Sequence, residues 1–409
     1  MFSRIHTIAI LAGLFVSLSV SAQNCPNNTL SCLIPTTFHT TLSTFNFFNE
    51  AFGTQIGQVP LAQPASGFTY TFDPKLGVPV LSQETYGPLL AERAETIGRH
   101  KIYVAFTYQR YSFSEIDSNG LKYLPILFYF PSQPPTQVVT YTQNRVDTNL
   151  NQYVAYGTFG VTDRIDVSVA VPFARVSLGV SSTGTEYSTT SSATAHFTEY
   201  LAGSASGVSD VIVAAKGTVL EREKFLLAAG LELRFPTGDA SNFLGSGAYG
   251  IKPYFVISRH AQQIAPSVLP RVKFAPHLNL AYQWNSNSVL ATNQNGQQEN
   301  LPGYFGYALG ADFALNKRIT VATDWVGREY FGAAQVSTPM NVTAPVNGQP
   351  MNFTSITQVN GAYNTNDISL GLKANPWNRF LFMANVTFRL NEAGLRANAV
   401  PFVGLSYTF

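Results

Sequence analysis

Charge is what this 409-residue chain has least of: Asp, Glu, Lys and Arg supply 12% of it, about half the usual share in a soluble domain. The net charge is +2, and its basic and acidic residues are scattered rather than clustered. Without a basic patch no nucleic-acid partner is expected. Long apolar runs are also missing after the N-terminus. No later stretch reaches the roughly 18 uninterrupted apolar residues that a membrane helix needs, so a helical membrane protein is excluded. Cysteine is nearly absent, with Cys25 and Cys32 the two in the chain. Nucleotide-binding loops, zinc-protease His pairs, paired-cysteine metal sites and the Gly-x-Ser-x-Gly elbow are all lacking. No enzyme activity, catalytic residue, cofactor or metal is therefore expected.

What is present points to an exported membrane protein. Residues 1–22 carry Arg4, an apolar run from Ile8 to Val20 and the ending Val20-Ser21-Ala22. That reads as a cleaved secretory signal, with processing before Gln23. In an oxidising compartment Cys25 and Cys32 read as a small disulfide loop. A lipid anchor on Cys25 competes with it, although the small residues such an anchor wants before the cysteine are missing. Tyr and Phe together number 50, and aromatics reach 13%, as lipid-facing strands with aromatic girdles would require.

Apolar/polar alternation recurs in about twelve segments: 100–111, 146–160, 165–180, 208–219, 225–236, 248–259, 271–283, 303–314, 319–331, 366–375, 380–390 and 399–409. A strand crossing hydrocarbon satisfies its backbone only through neighbours, so the set implies a closed transmembrane antiparallel up-and-down β-barrel. Strands of roughly 11 residues at about 3.3 Å each, tilted near 40°, span about 27 Å, close to the apolar band of an outer membrane. Short connections around 161–164, 221–224, 315–318 and 376–379 alternate with long ones at 112–145, 181–207, 237–247, 284–302, 332–365 and 391–398. Short turns belong to the periplasm and long loops outside. The link 260–270 is long for a periplasmic turn. The last strand ends on Phe409, the aromatic end expected to engage the barrel-assembly machinery, and outer-membrane lipid is the expected surroundings.

In 225–236, Phe225, Leu227, Ala229, Leu231, Leu233 and Phe235 share one face and Glu232 and Arg234 the other, so the first set faces lipid. The same parity sends Lys216, Lys252, Lys273, His277, Asp324, Arg328, Asp367, Lys373 and Arg389 to the lumen. A charge ladder of Glu232, Arg234 and Lys252 reads either as a structural network or as a permeation site, because interior polar groups need partners or water in both cases. His277 has no second ligand at metal spacing along its strand and reads as a lone interior histidine. At Pro172 the apolar parity passes from Val169, Val171 and Phe173 to Val176, Leu178 and Val180, so a kink or bulge is expected there.

Residues 23–98 do not alternate. They form a separate N-terminal segment, ending in an acidic, helix-like piece from Leu89 to Ile97, that could plug the lumen or lie in the periplasm; residues 99–409 form the barrel. The Ser/Thr-rich stretch 181–195 reads as a mobile rim. Tyr123 to Pro135 is too apolar for a solvated tip and reads as a strand extension or an inward constriction.

Gly207-Val208-Ser209-Asp210-Val211 through Lys216, Leu231 to Phe235-Pro236-Thr237-Gly238-Asp239 and Leu244-Gly245-Ser246-Gly247 together resemble the outer-membrane family labelled meta-pathway of phenol degradation. Val161-Thr162-Asp163-Arg164-Ile165-Asp166-Val167 and Val169-Ala170-Val171-Pro172-Phe173 are similar to that family's turn and strand, and the likeness runs over roughly 145–409. Ser209 stands where the family more often has Gly. The resemblance implies a barrel comparable to the outer-membrane transporters of fatty acids and aromatic hydrocarbons. With this size it implies a narrow or obstructed channel for passive uptake of small hydrophobic or aromatic solutes. The alternatives are a structural or adhesive surface protein with long loops and, more weakly, an outer-membrane hydrolase.

Overall fold

The computed structural model describes residues 29–37, 47–56, 70–73, 78–81, 85–129, 138–222, 225–263, 272–293, 296–377 and 379–409. The expected signal at 1–22, Cys25 and the tip 130–137 lie outside them. Twelve antiparallel strands close into one barrel. They are β1 Ile102–Ile116, β2 Val138–Thr162, β3 Ile165–Ser188, β4 Thr194–Val208 continued as Val211–Glu221, β5 Leu226–Phe235, β6 Gly250–Ser258, β7 Lys273–Asn285, β8 Tyr304–Asn316, β9 Ile319–Val336, β10 Gln358–Ala374, β11 Phe380–Arg389 and β12 Ala399–Thr408. Closure is made by β12 against β1, with Phe402 opposite Gln109 and Thr408 opposite Tyr103. No sheet edge is then left in the hydrocarbon, where an orphaned backbone group costs several kcal/mol.

The alternation behaves as its physics requires. In β3, Ile165, Val167, Val169, Val171 and Phe173 are exposed on the outer face, while Asp166, Ala170 and Ala174 are buried on the inner one. In β2, Phe159 and Tyr153 are exposed outward and Thr158, Val154 and Gln152 are buried inward. Tyr153 pairs with Phe173 across the ladder, and the next outward pairs are Asn151 with Arg175 and Asn149 with Ser177. The apolar band ends at the Tyr153–Phe173 pair.

Three expectations are corrected here. The stretch 181–207 is not a loop, because β3 and β4 pair from Phe173 opposite Val208 to Tyr187 opposite Thr194. The 25 residues of β2 reach roughly 60 Å along the axis, more than twice the hydrocarbon band of about 25 Å. The sheet therefore stands well clear of the membrane, where serine and threonine on both faces suit water. Leu124–Phe128 forms a strand paired with β2, the strand extension that was one of the two readings of that apolar stretch.

The second correction concerns Pro172. The register of β2 with β3 runs through Val154 opposite Pro172 without a shift. The parity of β3 never changes; its surroundings do. Below Phe173 the apolar face meets lipid, and above it Val176, Leu178 and Val180 point inward onto an apolar cluster while Arg175 turns outward. The irregularity sits in the neighbour: Ala170 pairs with Ile212 and Phe173 with Val208, so β4 carries one extra residue, a β-bulge, at Ser209–Asp210. Ser209 N–H donates to the Pro172 carbonyl at 2.8 Å. A strand residue directs its N–H and C=O to the same neighbour, so the donor that proline lacks falls where that neighbour is broken.

The third is the Leu89–Ile97 piece, which is extended rather than helical. Two helices, α1 Leu30–Thr37 and α2 Phe47–Gln55, precede it. They are not part of the barrel wall and pack on its inward-facing side chains at the long-loop end. Leu30, Ile34, Phe48 and Phe52 share a cluster with Tyr111, Val176 and Leu178. Cys32 on α1 is disulfide-bonded.

Candidate functional site: the barrel lumen

Residues 85–98 run along the lumenal wall, and the wall's side chains take the place of a partner strand. Lys373 Nζ donates to the carbonyls of Tyr86 (3.1 Å) and Pro88 (2.6 Å). Asp324 Oδ2 accepts the N–H groups of Leu89 (3.4 Å) and Leu90 (3.2 Å). Asn279 holds Glu92 at both ends, accepting its N–H at 2.6 Å and donating to its carbonyl at 2.9 Å. Lys216 Nζ donates to the Arg93 carbonyl at 2.9 Å and Thr218 Oγ1 to that of Ala94 at 2.6 Å. Ser258 Oγ accepts from Ala94 and Asp166 Oδ2 from Ile97. A segment in a dry interior must satisfy its backbone somewhere. Here the polar inner face of the barrel does it, which explains why 89–97 need not be a helix.

Charge pairs complete the attachment. Arg93 Nη2 lies 3.0 Å and Nε 3.2 Å from Asp312 Oδ2, and Lys216 Nζ is 3.4 Å from Glu92 Oε2. His277 Nε2 sits 2.6 Å from Asp324 Oδ1 and its Nδ1 3.9 Å from Asp312 Oδ2. His277 thus hydrogen-bonds Asp324, one of the two carboxylates that hold the segment, while its buried Nδ1 has no hydrogen-bond partner. The residue is 3% exposed. Among the described residues no cluster of three or more His, Cys, Asp or Glu side chains could hold a metal ion.

The remaining candidates fall as follows. Lys252 Nζ and Glu232 Oε2 form a 2.6 Å pair on adjacent strands. Arg234, two residues on, has a buried Nη1 without an acceptor and is a separate group rather than a rung of that pair. Arg328 stacks over the Tyr304 ring at 4.9 Å. Arg389 forms a two-pronged pair with Glu115 at the long-loop end, and Asp367 pairs with Arg396 at 2.5 Å. Lys273 faces inward near the short-turn end, opposite Gln263. Asp312, Asp166, Asn279 and Arg93 were not singled out from sequence. The first three sit at inward parity on their strands and were within reach of the same pattern, whereas Arg93 belongs to the segment that has no pattern.

Glu50 on α2 closes the upper end, its Oε1 accepting the Ala334 N–H at 2.8 Å. Burial raises its carboxyl to about 7, with Glu299 adding to the rise and the Ala334 hydrogen bond opposing it. The folded state therefore holds more protons than the unfolded one between the ordinary value of 4.5 and about 7, so stability falls as pH rises through that window. The upper bound is about 3 kcal/mol. Glu50→Gln keeps the acceptor and removes the charge, and its melting temperature should exceed that of the parent at pH 8 and match it at pH 5.

The loop after β5 explains the bulge. Thr237 Oγ1 donates to the Ser209 carbonyl at 2.7 Å and accepts the Val211 N–H at 3.0 Å, bridging the two halves of β4. Asp210 accepts the Gly238 N–H at 3.2 Å, the Ser246 N–H at 2.7 Å and Ser246 Oγ at 2.5 Å. A Cβ at Gly238 would lie 2.6 Å from the Leu244 carbonyl oxygen and one at Gly245 would collide with Asp210 Oδ1, so both glycines allow a close approach. Pro236-Thr237-Gly238-Asp239 and Gly245-Ser246 thus form a clasp over Ser209–Asp210.

The model of the family described as putative MetA-pathway of phenol degradation matches residues 131–337, which contain this clasp and both strands it joins. The chain belongs to that family. The match begins before the likeness expected over roughly 145–409 and ends well short of its C-terminal side. Similar solved structures include an outer-membrane channel from Pseudomonas putida F1, at 13% identity and TM-score 0.44, covering 78% of this chain and 99% of that one. The NanC porin is similar at 7% identity and TM-score 0.37, covering 74% and 98%. The translocator domain of the autotransporter NalP from Neisseria meningitidis follows at 11% and 0.31, covering 76% and 89%. No curated protein matches the chain.

Proposed function

We propose that the protein is a passive outer-membrane channel for small hydrophobic or aromatic solutes, held closed by its own N-terminal segment. The observation that carries this reading is the way residues 85–98 are attached. They are held by polar side chains of the wall, through contacts such as Lys373 to Pro88 and Asp324 to Leu90, alongside small apolar clusters around Leu89, Ala94 and Ile97. The polar contacts can be exchanged for water at modest net cost, since an intramolecular hydrogen bond contributes only about 0.5–1.5 kcal/mol. A barrel of this size with its segment displaced leaves a lined path wider than that of a filled eight-strand barrel. Outer-membrane residence follows from the strand-built apolar band, and Tyr and Phe on the wall give apolar solutes surfaces to move along.

The test is uptake of labelled aromatic solutes and ions into liposomes by the mature protein and by a variant lacking residues 23–98. The channel reading expects slow ion leakage and measurable solute uptake in the first, and rapid passage of both in the second. No transport by either would overturn it in favour of a structural or adhesive role for the long strands above the membrane.

A further inference from the structure

Beside Leu90 of the lumenal segment and Gln55 of α2 lies a cavity of about 60 Å³, bounded by β1 and β9–β12. At roughly 10–15 Å³ per water centre it holds about five waters, a displaced liquid volume near 150 Å³. That is room for one ring and a carboxylate. Its walls are apolar and aromatic on one side, with Tyr111, Phe113 and Phe402, and charged on the other, with Arg328, Arg396 and Asp367. Those charges sum to +1, two guanidinium groups against one carboxylate.

The guanidinium groups are not equivalent. Arg328 lies over Tyr304 and donates to Tyr330 Oη at 3.3 Å. Arg396 commits Nη2 to Asp367 and to the Asn366 carbonyl at 2.9 Å. Its Nε–H has no acceptor, although the residue is only 7% exposed. A buried donor left unsatisfied is destabilising, and an anion in the cavity would remove that cost. On the far side of Arg328 a second space, of about 110 Å³, is lined by Glu92, Glu232, Lys252 and Arg328, whose charges cancel. Only the first space favours an anion.

We propose that this cavity is a binding site for a small monocarboxylate with an apolar body of one-ring size. The carboxylate takes the Arg396 Nε–H and faces Arg328, and the body rests against Tyr111, Phe113 and Phe402. The inference rests on the channel reading for its physiological sense, but the site itself is testable without transport. Because Leu90 and Gln55 line the cavity, its occupant touches the N-terminal segment from two sides.

The experiment is saturable binding of benzoate, with neutral benzamide as its counterpart, to the full mature protein in detergent. Benzoate should bind at least tenfold more tightly than benzamide, and Arg328→Gln should lose at least tenfold for benzoate while leaving benzamide unchanged. Equal affinity for the two ligands, or no binding of either, overturns the proposal, and that comparison needs no variant to fold. Retained benzoate affinity in folded Arg328→Gln overturns it as well. Benzoate binding without liposome uptake would leave the site standing and remove the channel reading, whereas uptake without saturable benzoate binding would do the reverse.

Discussion

Asp324→Ala converts a closed protein into a conducting one. Asp324 is fully buried, accepts from Leu89 and Leu90 and is hydrogen-bonded to His277 at 2.6 Å. Its loss leaves two backbone donors of the lumenal segment and one imidazole without their acceptor, at about 1–3 kcal/mol for each buried orphan. The cost falls on the docked state alone, because a displaced segment is hydrated. About 3 kcal/mol of weakened docking raises the open population about a hundredfold. Planar-bilayer recording should show open events at least tenfold more frequent than in the parent. Asp324→Asn, which keeps a carbonyl acceptor, should fall between the two. A lowered melting temperature with unchanged conductance would instead assign Asp324 to the wall alone.

Arg93→Ala has the largest expected effect on stability. Asp312 is fully buried and takes two guanidinium hydrogen bonds from Arg93. Removing one partner of a buried pair leaves an uncompensated charge, at about 3–5 kcal/mol. The matched double change Arg93→Ala with Asp312→Asn removes both charges and should recover most of that loss. Thermal unfolding of the two variants, followed by the gel mobility of the folded barrel, reads the difference. Equal destabilisation by the single and double changes would mean that the pair contributes little to docking.

The barrel was legible because a lipid-facing strand has a strict period and no freedom to break it. Leu231 and Glu232 lie on opposite faces in the sequence and in the fold. The same rule does not hold above the membrane, where the strands continue with a different pattern. Asn149, Asp147 and Arg145 face outward with Leu150, Thr148 and Val146 inward, the reverse of a lipid-facing pattern, since the apolar side now meets α1 and α2 rather than acyl chains. Val176 and Leu178 gave the impression of a kink for that reason. The lumenal segment was invisible as structure because it has no period of its own. Its shape is set by Asn279, Lys373 and Asp324 on strands far along the chain, and no local pattern encodes those partners.

Residues 85–98 occupy the lumen, and cysteine accessibility tests that placement most directly. Ala94 is fully buried there and Arg99, five residues on, is exposed. Cysteines placed singly at the two positions in the membrane-inserted protein should react with a bulky water-soluble maleimide at very different rates, Arg99→Cys fast and Ala94→Cys at least a hundredfold more slowly until the barrel is unfolded. Equal rates in the folded protein would put the segment outside the barrel and contradict the account.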